Sequence, residues 1–209
     1  MSASFEIVIM TTAVSGTPHE RALRDSNPGI PIHVRESIQG EGADLETRWY
    51  NCDRNIRAWW RSMRELVCAR EVLFLEYDVF CNVDLTSLIR PLPLHAGIAA
   101  AKIMSGVRDR RSFWPFADIP RLPREMTALA CATAPLAVLL ISRRALDAII
   151  DPRYDAVFED NVFAEVRLPT VIRHAGFSPI EYPLPDVGCV PFRPGGRSGI
   201  FHPVKEPVT

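Results

Sequence analysis

The chain has 209 residues, of which 47% are hydrophobic and 23% charged, a composition typical of one globular domain with a full core. Its 24 Lys and Arg residues and 25 Asp and Glu residues give a formal net charge of −1. A chain this close to neutral has no overall positive field to attract nucleic acid or an anionic membrane, so we expect no nucleic-acid partner.

The apolar stretches of the sequence indicate a cytoplasmic protein without a transmembrane segment. The first apolar run contains Glu6 and follows no basic leader, which does not fit a secretory signal. The longest apolar stretch, residues 128–141, is interrupted by Thr133 and Pro135 and is too short to span a bilayer. The five cysteines include no Cys-x-x-Cys pair, which argues against a zinc site.

The first half of the chain alternates predicted strands and helices. A β-branched run predicts a strand over 5–10, with Thr11 at its carboxyl end. A short helix over 19–25 and a strand over 30–34 follow. Apolar residues at steps of three and four then predict a long helix over 44–69, and the unbroken apolar run 72–75 predicts a buried parallel strand.

The second half continues the same alternation. We predict a short helix at 85–89, a strand at 96–104, an irregular loop at 105–125, a strand at 134–141, a helix at 143–150 capped by Ser142, and a helix beginning near 159 or 160. The loop 105–125 is interpreted as a substrate lid or as an ordinary solvated loop. The tail 177–209 is rich in proline and glycine, and no repeat or composition shift divides the chain, so residues 1–209 are predicted to form a single domain.

Two carboxylates follow the buried strand directly. Glu76 and Asp78 are spaced i, i+2, which on a strand places both side chains on one face, roughly 7 Å apart at Cβ. One hard cation can lie between carboxylates at this spacing, and ligands of parallel sheets collect at the carboxyl ends of strands. The alternative interpretation is that the pair only ends a strand and caps the next turn.

The strand and helix order, the Glu-x-Asp at 76–78 and the late His202-Pro203-Val204-Lys205 together resemble the nucleotide-sugar-dependent glycosyltransferases of the GT-A fold. This resemblance implies a single-domain, Rossmann-like α/β fold with a mostly parallel central sheet flanked by helices, and a tail at about 177–209 that closes over the donor site. In that family an acidic pair, usually Asp-x-Asp, and a late histidine hold Mn²⁺ or Mg²⁺ on the donor diphosphate. The resemblance assigns these roles to Glu76, Asp78 and His202.

Further binding roles follow from the same resemblance. Lys205 would place a positive charge on the phosphates. The remaining candidate contacts to the donor are Thr11, Arg35, Asn51, Arg54 and Glu76.

The acidic segment 159–170 resembles the helix that often supplies a catalytic base, and it offers Asp160 and Glu165. On a continuous helix these residues lie about 140° apart, so only one can face an acceptor. We rank Asp160 first, because a helix start stabilises an anion. Glu165 ranks second, because Arg167 beside it would neutralise it on the surface.

The implied activity is the metal-dependent transfer of a sugar from a nucleoside diphosphate donor, of UDP type, to a hydroxyl of a glycan or another acceptor. An inverting enzyme would use the base, and a retaining enzyme would not need it in that role. Two alternatives stay open. A metal-dependent phosphoester hydrolase would show more clustered acidic or histidine ligands, and a non-catalytic relative that binds a nucleotide or a protein partner would show no metal dependence.

Overall fold

The computed structural model describes residues 5–11, 17–36, 45–184, 186–188 and 196–204. The strands in chain order are β1 (Phe5–Thr11), β2 (Ile32–Glu36), β3 (Glu71–Glu76), β4 (Phe80–Cys81), β5 (Ala96–Ala100), β6 (Ile103–Ser105), β7 (Cys131–Thr133), β8 (Val138–Ser142), β9 (Ser178–Glu181) and β10 (Ile200–Phe201). The α-helices are α1 (Pro18–Ser26), α2 (Leu45–Met63), α3 (Leu85–Leu88), α4 (Arg124–Thr127), α5 (Arg143–Ile149), α6 (Asp155–Glu159) and α7 (Ala164–His174), and two 3₁₀ helices cover Trp114–Arg121 and Pro152–Tyr154.

Six of these strands form one sheet in the order β2-β1-β3-β8-β5-β9. β1 pairs in parallel with β2 and β3, and β5 pairs in parallel with β9. β8 runs antiparallel between β3 and β5, so it alone opposes the direction of the other five. The sheet is therefore mostly parallel and flanked by helices, which confirms the predicted α/β class.

β3 lies inside the sheet and is covered on both faces. Val72 and Phe74 belong to the apolar cluster that α2, α5 and α7 share. Leu73 and Leu75 belong to the cluster on the opposite face. Because side chains alternate along a strand, Glu76 at the end of β3 points to the same face as Phe74, toward the side of α2 and α7.

Several element boundaries differ from the sequence prediction. α2 ends at Met63 rather than near residue 69. The segment 96–104 is not one strand, because the chain leaves the main sheet after Ala100 and β6 then pairs with β7. The tail contains β9 and β10, which hydrophobic periodicity did not reveal.

The helix predicted to begin near 159 or 160 is wrong. α6 ends at Glu159, and α7 begins only at Ala164 and continues through Pro169. The cost of proline inside a helix, about 3 kcal/mol, is offset here because eight of the helix's residues are buried in the core.

Two expectations about the whole chain are not tested by this architecture. The single-domain assignment and the closure of the tail over a donor site stay predictions, since residues 189–195 and 205–209 lie outside the described residues.

Among the helices in the described part of the chain, none has the length and hydrophobicity needed to cross a bilayer.

Candidate functional site

Glu76, Asp78 and His202 meet at one end of β3. One potential ligand atom from each residue lies within 4.8 Å of the other two. The His202 Nε2 atom is 3.3 Å from Asp78 Oδ1 and 3.5 Å from Glu76 Oε2. Asp78 and His202 are buried, while Glu76 is half-buried and open to solvent on one side.

A small antiparallel ladder brings the end of the chain to this place. β10 pairs with β4 so that Phe201 lies opposite Phe80, and their rings are 6.4 Å apart. Just beyond the ladder, the Val204 amide donates to the Asp78 carbonyl at 2.9 Å. These main-chain hydrogen bonds bring His202 next to Asp78, which stands 124 positions earlier in the sequence.

The imidazole of His202 is held in one orientation by the segment 186–188. The His202 amide donates to the Asp186 carbonyl at 3.1 Å, and the Gly188 amide donates to the His202 carbonyl at 3.2 Å. Nδ1 lies 2.9 Å from the Gly188 carbonyl, which can only accept, so Nδ1 carries a hydrogen. Nε2 is left facing the two carboxylates, and this is the arrangement typical of a metal-ligating histidine.

The two carboxylates also control the charge of the ring. Burial by itself lowers the pKa of His202, but hydrogen bonds and charges from Asp78 and Glu76 outweigh burial and raise the pKa to about 9. In the metal-free protein the imidazolium thus neutralises part of the negative charge of the acidic pair at neutral pH.

The acidic pair is not arranged as two residues of one strand. β3 ends at Glu76, and residues 77 and 78 form a turn in which the Val79 amide donates to the Glu76 carbonyl at 3.1 Å. The expectation that both side chains project from one strand face is therefore wrong. The turn, together with the contact from Val204, directs Asp78 toward His202 instead.

Glu165 lies beside this cluster rather than on an exposed surface. Its Oε1 accepts a hydrogen bond from the Leu136 amide at 3.1 Å. Burial, and secondly the negative charge of Glu76, raise the pKa of Glu165 to about 8, although the Leu136 hydrogen bond and His202 oppose this shift. The expected neutralisation by Arg167 is wrong, because Arg167 pairs with Asp53.

Asp160 is exposed and directly follows α6, so it does not start a helix. Its carbonyl accepts hydrogen bonds from Arg167 at 2.6 Å and from Arg54 at 3.3 Å. Because no continuous helix joins Asp160 to Glu165, the angular argument against both facing an acceptor does not apply. Asp160 is a solvent-accessible carboxylate on a firmly held main chain.

The other candidate contacts lie at several places around this edge. Arg35 pairs with Met10, which pairs with Glu76, so all three lie in one row across the sheet with Arg35 roughly 10 Å from Glu76. Thr11 ends β1 on the neighbouring row. Asn51 is buried in α2. Lys205 lies outside the described residues.

Arg54 holds the main chain of the segment that carries Asp160. Its guanidinium donates to the Glu159 carbonyl at 2.9 Å as well as to that of Asp160. The expected contact between Arg54 and a donor stays a prediction, and the observed role is to support the segment that carries Asp160.

Two contributors were missed by sequence reasoning. His19 in the first turn of α1 packs edge-on against Phe80, with ring centroids 5.7 Å apart, and lies near Asp78. Gly188 orients His202 through its carbonyl. His19 comes soon after β1 in the chain, and a ligand edge was expected at the end of β1. No sequence signal marks a backbone carbonyl such as that of Gly188.

Binding of a divalent cation at this cluster is expected to strengthen as pH rises. Nε2 must lose its proton to become a ligand, and because His202 has a pKa of about 9 the metal competes with that proton at lower pH. The Kd for Mn²⁺ should fall by nearly tenfold per pH unit up to about pH 8 and level off near pH 9. Calorimetry in buffers of different ionisation enthalpy would measure the affinity and the released proton together. An affinity independent of pH would contradict a ligand role for His202.

No protein-family model matches the sequence, and a search of curated proteins gives no match. Solved structures do match. One is a glycosyltransferase involved in glycosylation of the major capsid of PBCV-1, which is 12% identical with a TM-score of 0.47 over 85% of this chain and 81% of that chain. Another is the galactosyltransferase LgtC in complex with donor and acceptor sugar analogues, 12% identical with a TM-score of 0.44 over 84% and 72%.

A third match is a mutant of Drosophila β1,4-galactosyltransferase 7 in complex with manganese, UDP-Gal and xylobiose. It is 12% identical, with a TM-score of 0.41 over 95% of this chain and 70% of that chain. At these identities and TM-scores the three similarities assign no substrate, metal or mechanism to this chain.

Proposed function

We propose that the chain is a metal-dependent glycosyltransferase that moves a sugar from a nucleoside diphosphate donor, of UDP type, to a hydroxyl of a glycan or another acceptor. The observation that carries this proposal is the convergence of Glu76, Asp78 and His202, whose ligand atoms lie within 4.8 Å of one another. The cluster lies where β3 ends, at the edge at which parallel sheets bind ligands.

The three side chains fit a Mn²⁺ or Mg²⁺ ion. Carboxylate oxygens favour hard divalent cations, and one imidazole among them shifts the preference toward Mn²⁺. The Gly188 carbonyl fixes the Nδ1 hydrogen of His202 and leaves Nε2 free to coordinate. When bound, such a cation would stabilise the negative charge of a departing nucleoside diphosphate.

The residues around the cluster would contact two different substrates, the sugar donor and the acceptor. On the donor side, Arg35 and Lys205 would add positive charge for the phosphates, and Thr11 and Asn51 would offer polar contacts to the nucleotide. On the acceptor side, Asp160 would take the proton of the attacking hydroxyl in an inverting reaction. Glu165 would border the cluster as a largely protonated acid at neutral pH, since its pKa is about 8.

A hydrolase is the less favoured function. In the described part of the chain, one group of three residues could hold a metal, and it consists of Glu76, Asp78 and His202. A metal-dependent phosphoester hydrolase commonly uses two metal ions, and therefore more ligands than this group supplies. The non-catalytic alternative predicts that metal and nucleotide binding are independent of each other or absent.

The test is a titration of Mn²⁺ into the purified protein with and without UDP, followed by calorimetry. Asp78→Ala and His202→Ala should each weaken metal-dependent UDP binding by more than about 100-fold, since each removes a direct ligand. Asp84→Ala is the matched control. Asp84 is an exposed carboxylate that caps α3 through the Thr86 amide and lies outside the cluster, so its variant should bind as the wild type does.

The outcomes separate the functional classes. Metal-dependent UDP binding lost in both variants, together with transfer from a UDP-sugar, supports the transferase. UDP binding that does not depend on the metal, without any transfer, supports the non-catalytic relative. Failure to bind UDP, GDP, CMP and TDP with Mn²⁺ present would reject the donor site, and turnover of a phosphoester without a sugar donor would favour the hydrolase.

A further inference from the structure

Trp114 is a large aromatic side chain that stands on the surface, with 63% of it exposed. Its ring packs edge-on against Phe163 with centroids 4.9 Å apart, and Phe163 packs edge-on against Tyr50 at the same distance. We call these three rings the aromatic stack. Phe163 is buried, so the stack runs from the interior to a solvent-exposed indole.

Polar contacts fix the segment that carries Trp114. Asp118 accepts a hydrogen bond from the Phe163 amide at 3.0 Å, and Arg121 donates to the Asn161 carbonyl at 2.7 Å. Asp118 and Arg121 also pair with each other at 3.1 Å. The 3₁₀ helix Trp114–Arg121 is thus tied to residues 161–163 at several points, and the exposed indole is held rather than left on a free loop.

The aromatic stack adjoins the candidate site. Phe163 lies between Asp160 and Glu165 in the chain, and Glu165 is close enough to Glu76 and His202 for their charges to shift its pKa. The exposed face of Trp114 therefore borders the segment that carries both candidate bases.

We propose that the exposed face of Trp114 is a platform for the ring of an acceptor saccharide, an inference that rests on the proposed function. A pyranose has one face of C–H groups with weak positive charge, which is complementary to the negative face of an indole. Its hydroxyls project from the ring edge, and the segment to which the 3₁₀ helix is tied carries the exposed polar residues Asp160 and Asn161. One aromatic face flanked by polar groups suits a sugar better than a broad apolar partner.

The test uses methyl glycosides of glucose, galactose, xylose and mannose, which carry no aromatic group of their own. Saturation-transfer NMR would measure their binding to the full-length wild type and to the variants Trp114→Ala, Trp114→Phe and Val107→Ala. Each protein would be measured with and without Mn²⁺ and UDP. Val107 is the matched control, because it is 80% exposed and apolar and precedes Trp114 in the same region. Trp114→Ala should weaken glycoside binding by roughly tenfold or more. Trp114→Phe should keep most of the affinity for glycosides, and Val107→Ala should keep all of it.

Each outcome bears on the inference. Glycoside binding that is unchanged in Trp114→Ala would overturn it, as would the absence of binding by any of the four glycosides to the wild type. If no glycoside binds, and the wild type sediments with anionic phospholipid vesicles while Trp114→Ala does not, Trp114 would be a membrane contact instead. Glycoside binding that depends on Trp114 in a protein that fails to bind UDP would keep the platform and reject the transferase.

Discussion

Replacing Asp160 with Asn is expected to lower kcat for sugar transfer by about 10²- to 10⁴-fold while leaving Mn²⁺-dependent UDP binding intact. Replacing Glu165 with Gln, the matched control, is expected to keep kcat within a few fold at neutral pH. Initial rates with a UDP-sugar donor and a saturating acceptor would give kcat, and calorimetry would give donor binding for the same preparations.

The difference follows from the protonation of Glu165 and from the exposure of Asp160 to solvent. Glu165 has a pKa of about 8, so at pH 7 it is mostly protonated and cannot accept a proton from an acceptor hydroxyl. Glutamine reproduces the shape of that protonated acid and its acceptor oxygen for the Leu136 amide. Asp160 is exposed, and the hydrogen bonds from Arg167 and Arg54 to its carbonyl hold its main chain in place.

The dependence of the rate on pH gives an independent check. If Glu165 were the base, kcat of the wild type would rise through about pH 8 and Glu165→Gln would abolish that rise together with most of the activity. If both variants kept full kcat, no base would act from this segment, and a retaining mechanism would be favoured.

The sequence was sufficient to predict β3 and the place of Glu76 at its end. An unbroken apolar run can only be stable when both faces are covered, and the structure places Val72 to Leu75 in two different clusters on the two faces. Glu76 then follows at the point where the strand emerges from the core. Such features are local in sequence, so periodicity and composition are enough to find them.

The surroundings of Glu165 could not be predicted in the same way. Arg167 stands two residues away and is the obvious local partner for its carboxylate, yet Arg167 pairs with Asp53, 114 residues earlier. The pairing is decided by how α7 packs on α2, which no local pattern encodes. The same holds for His202, whose ring orientation depends on the Gly188 carbonyl.

Strand direction was also beyond the sequence. β8 is apolar along most of its length, as a buried parallel strand would be, but it runs antiparallel between β3 and β5. Burial on both faces produces the same apolar run whichever way the strand points. Between β5 and β8 the chain passes through β6 and β7, and it re-enters the sheet in the opposite direction.

Replacing Arg167 with Met is expected to destabilise the fold by about 3–5 kcal/mol, because it leaves the Asp53 carboxylate buried without its partner. Neither side chain of this pair is exposed, and the two hydrogen bonds that join them measure 2.6 and 2.8 Å. The free energy of unfolding in urea would measure the loss. Arg61→Met, on the same helix as Asp53, is the control. Arg61 and its partner Asp155 are both about half exposed, so solvent screens their pair and its loss should leave the free energy of unfolding nearly unchanged.

The double variant Asp53→Leu, Arg167→Met separates stability from positioning. With both charges removed, no buried charge lacks a partner, and most of the lost stability should return. The hydrogen bonds from Arg167 to the carbonyls of Asp160 and Tyr50 do not return. A double variant that folds well but has a lowered kcat would show that Arg167 positions the Asp160 segment. Recovery of both stability and kcat would limit Arg167 to a structural role, and a single variant as stable as the wild type would contradict the buried pair itself.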